Sequence, residues 1–486
     1  MAELDPRYYI NVGPKGTFRK SLKKQTTPAH IDALFDYLEQ NAINKVLIYF
    51  HGGLVSEDAG MQTAAAIAPI CLQAGAHPIS FVWETGLMET ITRNISTITQ
   101  TELAQKLLKY ILQQISKRWG IDLAGKGAGQ AMTFAEIEAE LHKPEPFADF
   151  DHPEASNGRA KGGAGVLSAA TVDAERDLVE VELEQELLAD PDLDRLVTRQ
   201  APTIALLDPK IKTINATGAK GGVEIVAAVV KVLTPVIIRT LKRRAHKTDH
   251  GLYPTVIEEL LRELCLANLG AWVWTGMKDA AQAMWSPNAN PITEDSHVGT
   301  YFLEKLAMLK QKRPALQMDV AGHSAGSIAI CRMLAAAQQH PGLKMRNIIF
   351  LAPGCTLDLF TAEIVAKPER FENFRMFTMH DDYESKDVLV PGLYTRSLVY
   401  FVSGVLEDED PKPIAGLERW LRADAPDPKN NLAAARAFMN QAGKNRLVLS
   451  RTGDAAHKGL QCLAISHGDF DNEPQTLASL QFLLAS

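Results

Sequence analysis

Leu316-Gln317-Met318-Asp319-Val320-Ala321-Gly322-His323-Ser324-Ala325-Gly326 is the stretch on which the fold turns. Its first half, Leu316 to Ala321, is short, rich in apolar residues and free of glycine and proline, which predicts a strand. The second half fits G-x-S-x-G, and the spacing from Ser327 to Gln339 predicts a helix. Three fixed positions of common residues match by chance somewhere in about one chain in ten of this length. The flanking elements therefore carry the reading, because a strand running into the motif and a helix running out of it give it a mechanical meaning. A sharp turn lifts the Ser324 side chain above the strand end on a strained backbone. Gly322 and Gly326 are needed because side chains there would collide with the neighbouring strand or helix. The helix that starts after the serine aims its first N–H groups and its positive dipole end at the reacting centre. The same serine could instead be a plain N-cap in an ordinary strand-to-helix turn.

Upstream, Val46 to Phe50 predicts a second strand, bounded by Asn44 and by Gly52-Gly53. A helix is expected from Asp58 to Ala74 with Gly75 as its C-cap, and a further strand from Ile79 to Trp83. Strand, helix and strand in alternation imply a parallel sheet with helices on its faces. From about Thr85 to Pro287 the pattern is mainly helical, most clearly over Leu103 to Trp119 and Pro254 to Met277. His152 to Ala170 reads as a flexible loop, and the acidic run Asp173 to Asp194 as a solvated helix. The alternation resumes near Gly299, with a helix over Thr300 to Lys312, strands at Asn347 to Leu351, Phe374 to Met379 and Arg446 to Ser450, and a last helix over Gln475 to Leu484. The expected fold is α/β, a mostly parallel sheet with flanking helices. Its core comprises residues 1–85 and 299–486, and a mainly helical insertion, 86–298, interrupts it, with a flexible loop near 152–170.

Composition bounds the function. The chain has 486 residues, 46% of them apolar and 22% charged, with a formal net charge of -7, so it can bury a large core and lacks the basic excess of a nucleic-acid binder. Cys71, Cys265, Cys331, Cys355 and Cys462 are scattered without a CxxC pair, and read as reduced thiols. The N-terminus MAELDPRYYI lacks a basic start and an apolar h-region, so the expected location is cytoplasmic, with export independent of such a signal left open. No HExxH or paired-cysteine spacing occurs, and no metal or cofactor is expected. The glycine clusters Gly125/Gly127/Gly129 and Gly218/Gly221/Gly222 lack the GK[ST] of a phosphate loop and read as loops. The apolar stretch Gly222 to Ile238 is broken by Glu224, Lys231 and Pro235 and ends on Arg239 and Lys242-Arg243-Arg244. It falls short of a spanning helix, and its two readings are a buried helix with a basic last turn and a peripheral contact with a membrane surface.

With the elbow at Gly322 to Gly326, the turn His51-Gly52-Gly53-Leu54 and the late loop Ser466-His467-Gly468-Asp469-Phe470-Asp471-Asn472, the sequence resembles the α/β-hydrolase family, more particularly its bacterial lipase and esterase branches. The resemblance covers Lys45 to Trp83 and Gly299 to Ser486, somewhat under half of the chain; the insertion has no counterpart. It implies Ser324 as nucleophile and His467 as general base, with His457 as the nearest competitor. Oxyanion-hole amides would come from Gly53, with Leu54 as an alternative, and from Ala325. The acid should follow the strand Phe374 to Met379. Asp387, four residues before Pro391, resembles the D-x-V-P arrangement of many lipases with one extra residue. Asp382 is the alternative, and Asp381, Glu384 and Asp358 are more distant ones. The chemistry so implied is cleavage of carboxylic esters through an acyl-enzyme, with an ester or lipid-like substrate, and the insertion is expected to cap Ser324. A peptidase or amidase on the same residues and a non-catalytic binding protein that keeps the fold are the alternatives.

Overall fold

A computed structural model describes residues 4–20, 24–53, 55–83, 101–118, 131–151, 168–193, 195–196, 222–263, 266–408, 411–427 and 429–486. Both glycine clusters apart from Gly222, most of the 152–170 loop and Leu54 lie outside these residues. The chain divides into two compact units, one formed by Met1–Met88, Val273–Asp387 and Pro413–Ser486, the other by Glu89–Trp272 and Val388–Lys412.

The first unit is built on seven strands: β1 (Tyr9–Val12), β2 (Lys45–Phe50), β3 (His77–Trp83), β4 (Gln317–His323), β5 (Met345–Leu351), β6 (Phe371–Met379) and β7 (Leu447–Ser450). They form one sheet in the order β1-β3-β2-β4-β5-β6-β7, and every neighbouring pair is parallel. The expected α/β class with a parallel sheet is what the structure has. Strand β1 was not foreseen, nor was the helix Pro28–Gln40 that follows it. β1 is a four-residue edge strand, too short to show an alternation.

The central strands are apolar on both faces because helices cover both sides, as in all-parallel sheets generally. On one face Leu47, Tyr49, Ala321, Ile349, Leu351 and Phe377 pack on Ile67 and Cys71 of the helix Glu57–Gln73 and on Leu480 and Leu484 of the terminal helix Pro474–Ala485. Elsewhere Phe50, Phe81, Trp285, Phe302 and Phe35 form a chain of ring contacts. The helix Glu57–Gln73 starts where Ser56 accepts the Ala59 N–H, carries Glu57 and Asp58 in its first turn, and is followed by Gly75 at a φ of +71°.

One polar knot lies at the amino end of this core. Asp319 on β4, fully buried, accepts two hydrogen bonds from the Arg346 guanidinium and two from Asn347, whose side chain also donates to Leu483 O. Asp319→Ala would strand the guanidinium of Arg346, a side chain only 11% exposed, without a counter-charge. Breaking one partner of such a buried pair costs about 3–5 kcal/mol, and a drop of that size in the urea-unfolding free energy is the expected result.

The sheet order also fixes where a site can form. The chain proceeds from β2 to β3 in one direction and from β4 through β7 in the other, so the switch lies between β2 and β4. Open α/β sheets bind ligands outside the carboxyl ends of the strands at such a point. Phe50 pairs with Gly322, so the turn after β2 and the turn after β4 emerge side by side.

The second unit is helical among its described residues. Glu102–Arg118, Arg176–Leu188, Gly222–Ala245 and Leu252–Glu263 are its main helices. The acidic run is not a simply solvated helix: Val179, Leu183 and Leu187 are buried, while Glu175, Glu182 and Glu186 pair with Lys117 and Arg118. The basic end of Gly222–Ala245 is likewise engaged, Arg239 and Arg243 with Glu258, Glu259 and Glu263, Lys242 with Asp173 and Arg244 with Asp249. Among the described residues no helix is long and apolar enough to cross a membrane.

Candidate active site

Ser324 sits at a φ of +49°, in the left-handed region that a residue with a side chain enters only when its surroundings hold it there. Those surroundings are specific. The Ser324 N–H donates to Leu351 O at 2.9 Å, and Ser324 O accepts from the amides of Ser327 and Gly354 and from the Ser327 hydroxyl at 2.6 Å. The flanking glycines have the steric role expected of them. A Cβ on Gly326 would lie 2.3 Å from Phe50 O, and one on Gly322 would lie 2.8 Å from Ile330 Cδ1 and 2.9 Å from the Gly326 carbonyl carbon. The helix Gly326–Ala336 then runs away from the serine.

The His467 ring reaches this turn from the other end of the chain. Its Nε2 lies 2.9 Å from Ser324 Oγ, across 143 positions of sequence. Both residues are 7% exposed. The loop that carries His467 is held at several points. Asp469 accepts from the Ile465 and Ser466 amides at 2.9 Å each, Asp387 Oδ2 accepts from the His467 N–H at 2.7 Å, and His467 O accepts from His323 Nε2 at 2.9 Å.

Asp387 is thus brought to the histidine, but through the backbone amide. The ring atom His467 Nδ1 is buried and without a hydrogen-bond partner among the described residues. Asp382 is exposed on the short helix Asp381–Glu384, and no hydrogen bond joins it to His467 among the described residues. The amide of Asp381 donates to Glu418, Glu384 is buried, and Asp358 accepts from Asn431. The competitor His457 is exposed.

Gly53 lies directly on the residue after the serine: a Cβ there would come within 2.8 Å of Ala325 Cβ and 2.5 Å of Met277 Sδ. Among the described residues the amides of Gly53 and Ala325 have no hydrogen-bond partner. His51 fixes the turn. Its Nε2 accepts from the Trp83 amide at 3.1 Å and its Nδ1 donates to Gly52 O at 2.6 Å. Burial pulls its pKa down to about 4, so it is neutral and its tautomer is set by these two bonds.

His323 and Asp471 belong to the same constellation, and the sequence reading gave neither a role. His323 Nδ1 lies 3.3 Å from Asp471 Oδ2. Burial alone would lower the His323 pKa, but the Asp471 carboxylate outweighs it and the net shift is upward. Burial would raise Asp471, and the His323 charge reverses that to a net lowering. For His467 burial pulls the pKa down to about 3, the His323 charge adds to the effect and Asp471 opposes it. Burial raises Asp387, against the His467 N–H that it accepts. Their only signal in sequence is position, His323 one residue before the serine and Asp471 four after His467.

In the state competent for proton transfer, His467 Nε2 is bare and faces the Ser324 hydroxyl, while Nδ1 carries the ring proton. A hydroxyl next to a base, with amides on two adjacent turns that have no hydrogen-bond partner among the described residues, can support nucleophilic acyl transfer. Among the described residues no cluster of histidine, cysteine or carboxylate side chains could hold a metal ion. The chain matches no known family model, no curated protein and no solved structure.

Proposed function

We propose that this protein is a serine hydrolase of the α/β-hydrolase type that cleaves carboxylic esters. The observation that carries this reading is the 2.9 Å approach of His467 Nε2 to Ser324 Oγ at the end of β4. Ser324 Oγ attacks the ester carbonyl carbon while His467 Nε2 takes the hydroxyl proton. The carbonyl oxygen becomes an oxyanion, and the amides of Gly53 and Ala325 are its donors in this scheme. A donor of this kind contributes about 3 kcal/mol to lowering the barrier. The tetrahedral intermediate collapses, the C–O bond to the alcohol breaks, and the alcohol leaves with the proton from His467. Water then gives a proton to His467 and attacks the acyl carbon; the bond from that carbon to Ser324 Oγ breaks, His467 returns the proton to Oγ, and the carboxylic acid leaves.

Asp387 is the acid of this scheme. Its carboxylate already holds the His467 amide at 2.7 Å, and in this scheme it also comes to accept from Nδ1. Catalytic hydrogen bonds of free enzymes are often loose and tighten with substrate. His467 Nδ1, buried and without a partner among the described residues, is the group that this contact would satisfy.

The substrate class is tested with p-nitrophenyl esters of increasing acyl length beside the matching p-nitroanilides. The expected result is turnover of the esters with butyrate or longer chains at least equal to acetate. A sharp preference for acetate would contradict a lipid-like substrate, and anilide cleavage that the esters do not match would favour a peptidase or amidase.

A further inference from the structure

We propose that His323 and Asp471 form a charged clamp, an imidazolium–carboxylate pair, that positions His467 for Ser324. The inference rests on the serine-hydrolase reading and adds two positioning residues to it. Both side chains are largely buried, 9% and 15% exposed. His323 Nε2 faces the His467 carbonyl at 2.9 Å, and a carbonyl only accepts, so Nε2 bears hydrogen. The other nitrogen faces the Asp471 carboxylate at 3.3 Å, again an acceptor. With one nitrogen donating to a carbonyl and the other facing a buried carboxylate, the ring is assigned as an imidazolium. Each buried charge offsets the cost of burying the other, so neither is retained alone.

The clamp joins the elbow to the histidine loop. His323 belongs to the elbow, Asp471 to the histidine loop, and a Cβ on Gly52 would lie 3.0 Å from His323 Nδ1 and 3.5 Å from Ser324 Cβ. The His323 and His467 ring centroids are 5.2 Å apart. The charged and titratable groups around His467 are therefore His323 from the elbow, Asp471 and Asp469 from its own loop, and Asp387 at its amide; Tyr49 and His51 face Asp471. Burial lowers the His467 pKa most, and the positive charge on His323 lowers it further, against the opposing Asp471.

The test is the acid limb of the kcat/KM–pH profile on p-nitrophenyl butyrate. Activity is lost as the pH falls through the His467 pKa, so removing the neighbouring positive charge moves the limb upward. In H323Q the amide can still donate to His467 O without the charge, and in D471N the imidazolium loses its partner. H323Q, which keeps the Asp471 charge, is expected to raise the limb by at least about one pH unit, a tenfold change in proton affinity, and to lower kcat with little change in KM. D471N and the double variant H323Q/D471N also lose the Asp471 charge, which opposes that of His323 at His467, so their limbs should lie below that of H323Q. A folded H323Q whose limb does not move, with thermal melting showing only lost stability, would overturn the clamp while leaving the hydrolase reading intact. Failure of the wild type to turn over any ester would sink the hydrolase reading instead. Nitrogen-15 NMR of the wild type then decides the clamp independently of activity. Both ring nitrogens of His323 should be protonated at neutral pH, and a neutral ring would overturn it.

Discussion

Ser324→Ala is expected to lower ester turnover by about 10⁴- to 10⁶-fold, with His467→Ala nearly as damaging and the double variant no worse than the worse single one. The two side chains act as one device, since the hydroxyl attacks only as its proton leaves for His467 Nε2, 2.9 Å away. Removing either end removes the same step, so the losses do not add. Stability should change little in Ser324→Ala, because the turn is held by the backbone bonds to Leu351 and Gly354 and by the Ser327 hydroxyl, none of which uses Ser324 Oγ. Thermal melting beside p-nitrophenyl ester kinetics checks both halves. Retained turnover in a purified Ser324→Ala protein would remove the serine from the chemistry.

The second large effect concerns the acid. Asp387→Asn is expected to lower kcat about 10³- to 10⁴-fold, the size seen when an acid that orients a catalytic imidazole becomes an amide. The substitution discriminates well because the side-chain oxygen of asparagine can still accept the His467 amide, so the 2.7 Å backbone contact is open to it. What disappears is the negative charge that fixes the Nδ1–H tautomer and stabilises the imidazolium formed in the transition state. Asp382→Asn, at an exposed position, should stay within about twofold of the wild type, as surface changes away from functional groups usually do. A small loss in Asp387→Asn would mean that Asp387 only orders the loop. Asp471, the other carboxylate of the constellation, would then be the acid to examine.

The elbow was legible because its whole mechanics is local: strand, glycine, serine, glycine and helix are contiguous, and each steric demand is met within a few residues or by the adjacent strand. The turn at Gly52-Gly53 was legible for the same reason. His467 was found by its place between the last strand and the last helix, a matter of chain order. The acid was ambiguous because Asp381, Asp382, Glu384 and Asp387 crowd within seven positions, and only burial and direction separate them. Asp387 is half-buried and faces His467, whereas Asp382 points to solvent.

The rest was hidden for physical reasons. The His323–Asp471 pair joins two loops that meet only after the sheet has formed, and no periodicity marks it. Strand β1 is a short edge element after Pro6. The acidic run looked solvated because its partners, Lys117 and Arg118, lie some sixty residues away in sequence.

Labelling the intact protein with a fluorophosphonate and locating the adduct by peptide mass spectrometry tests the role of Ser324 most directly. One adduct per chain, on Ser324, absent in Ser324→Ala and slow to form in His467→Ala, is the predicted result. A protein that gives no adduct, or one that keeps its adduct in Ser324→Ala, would contradict it.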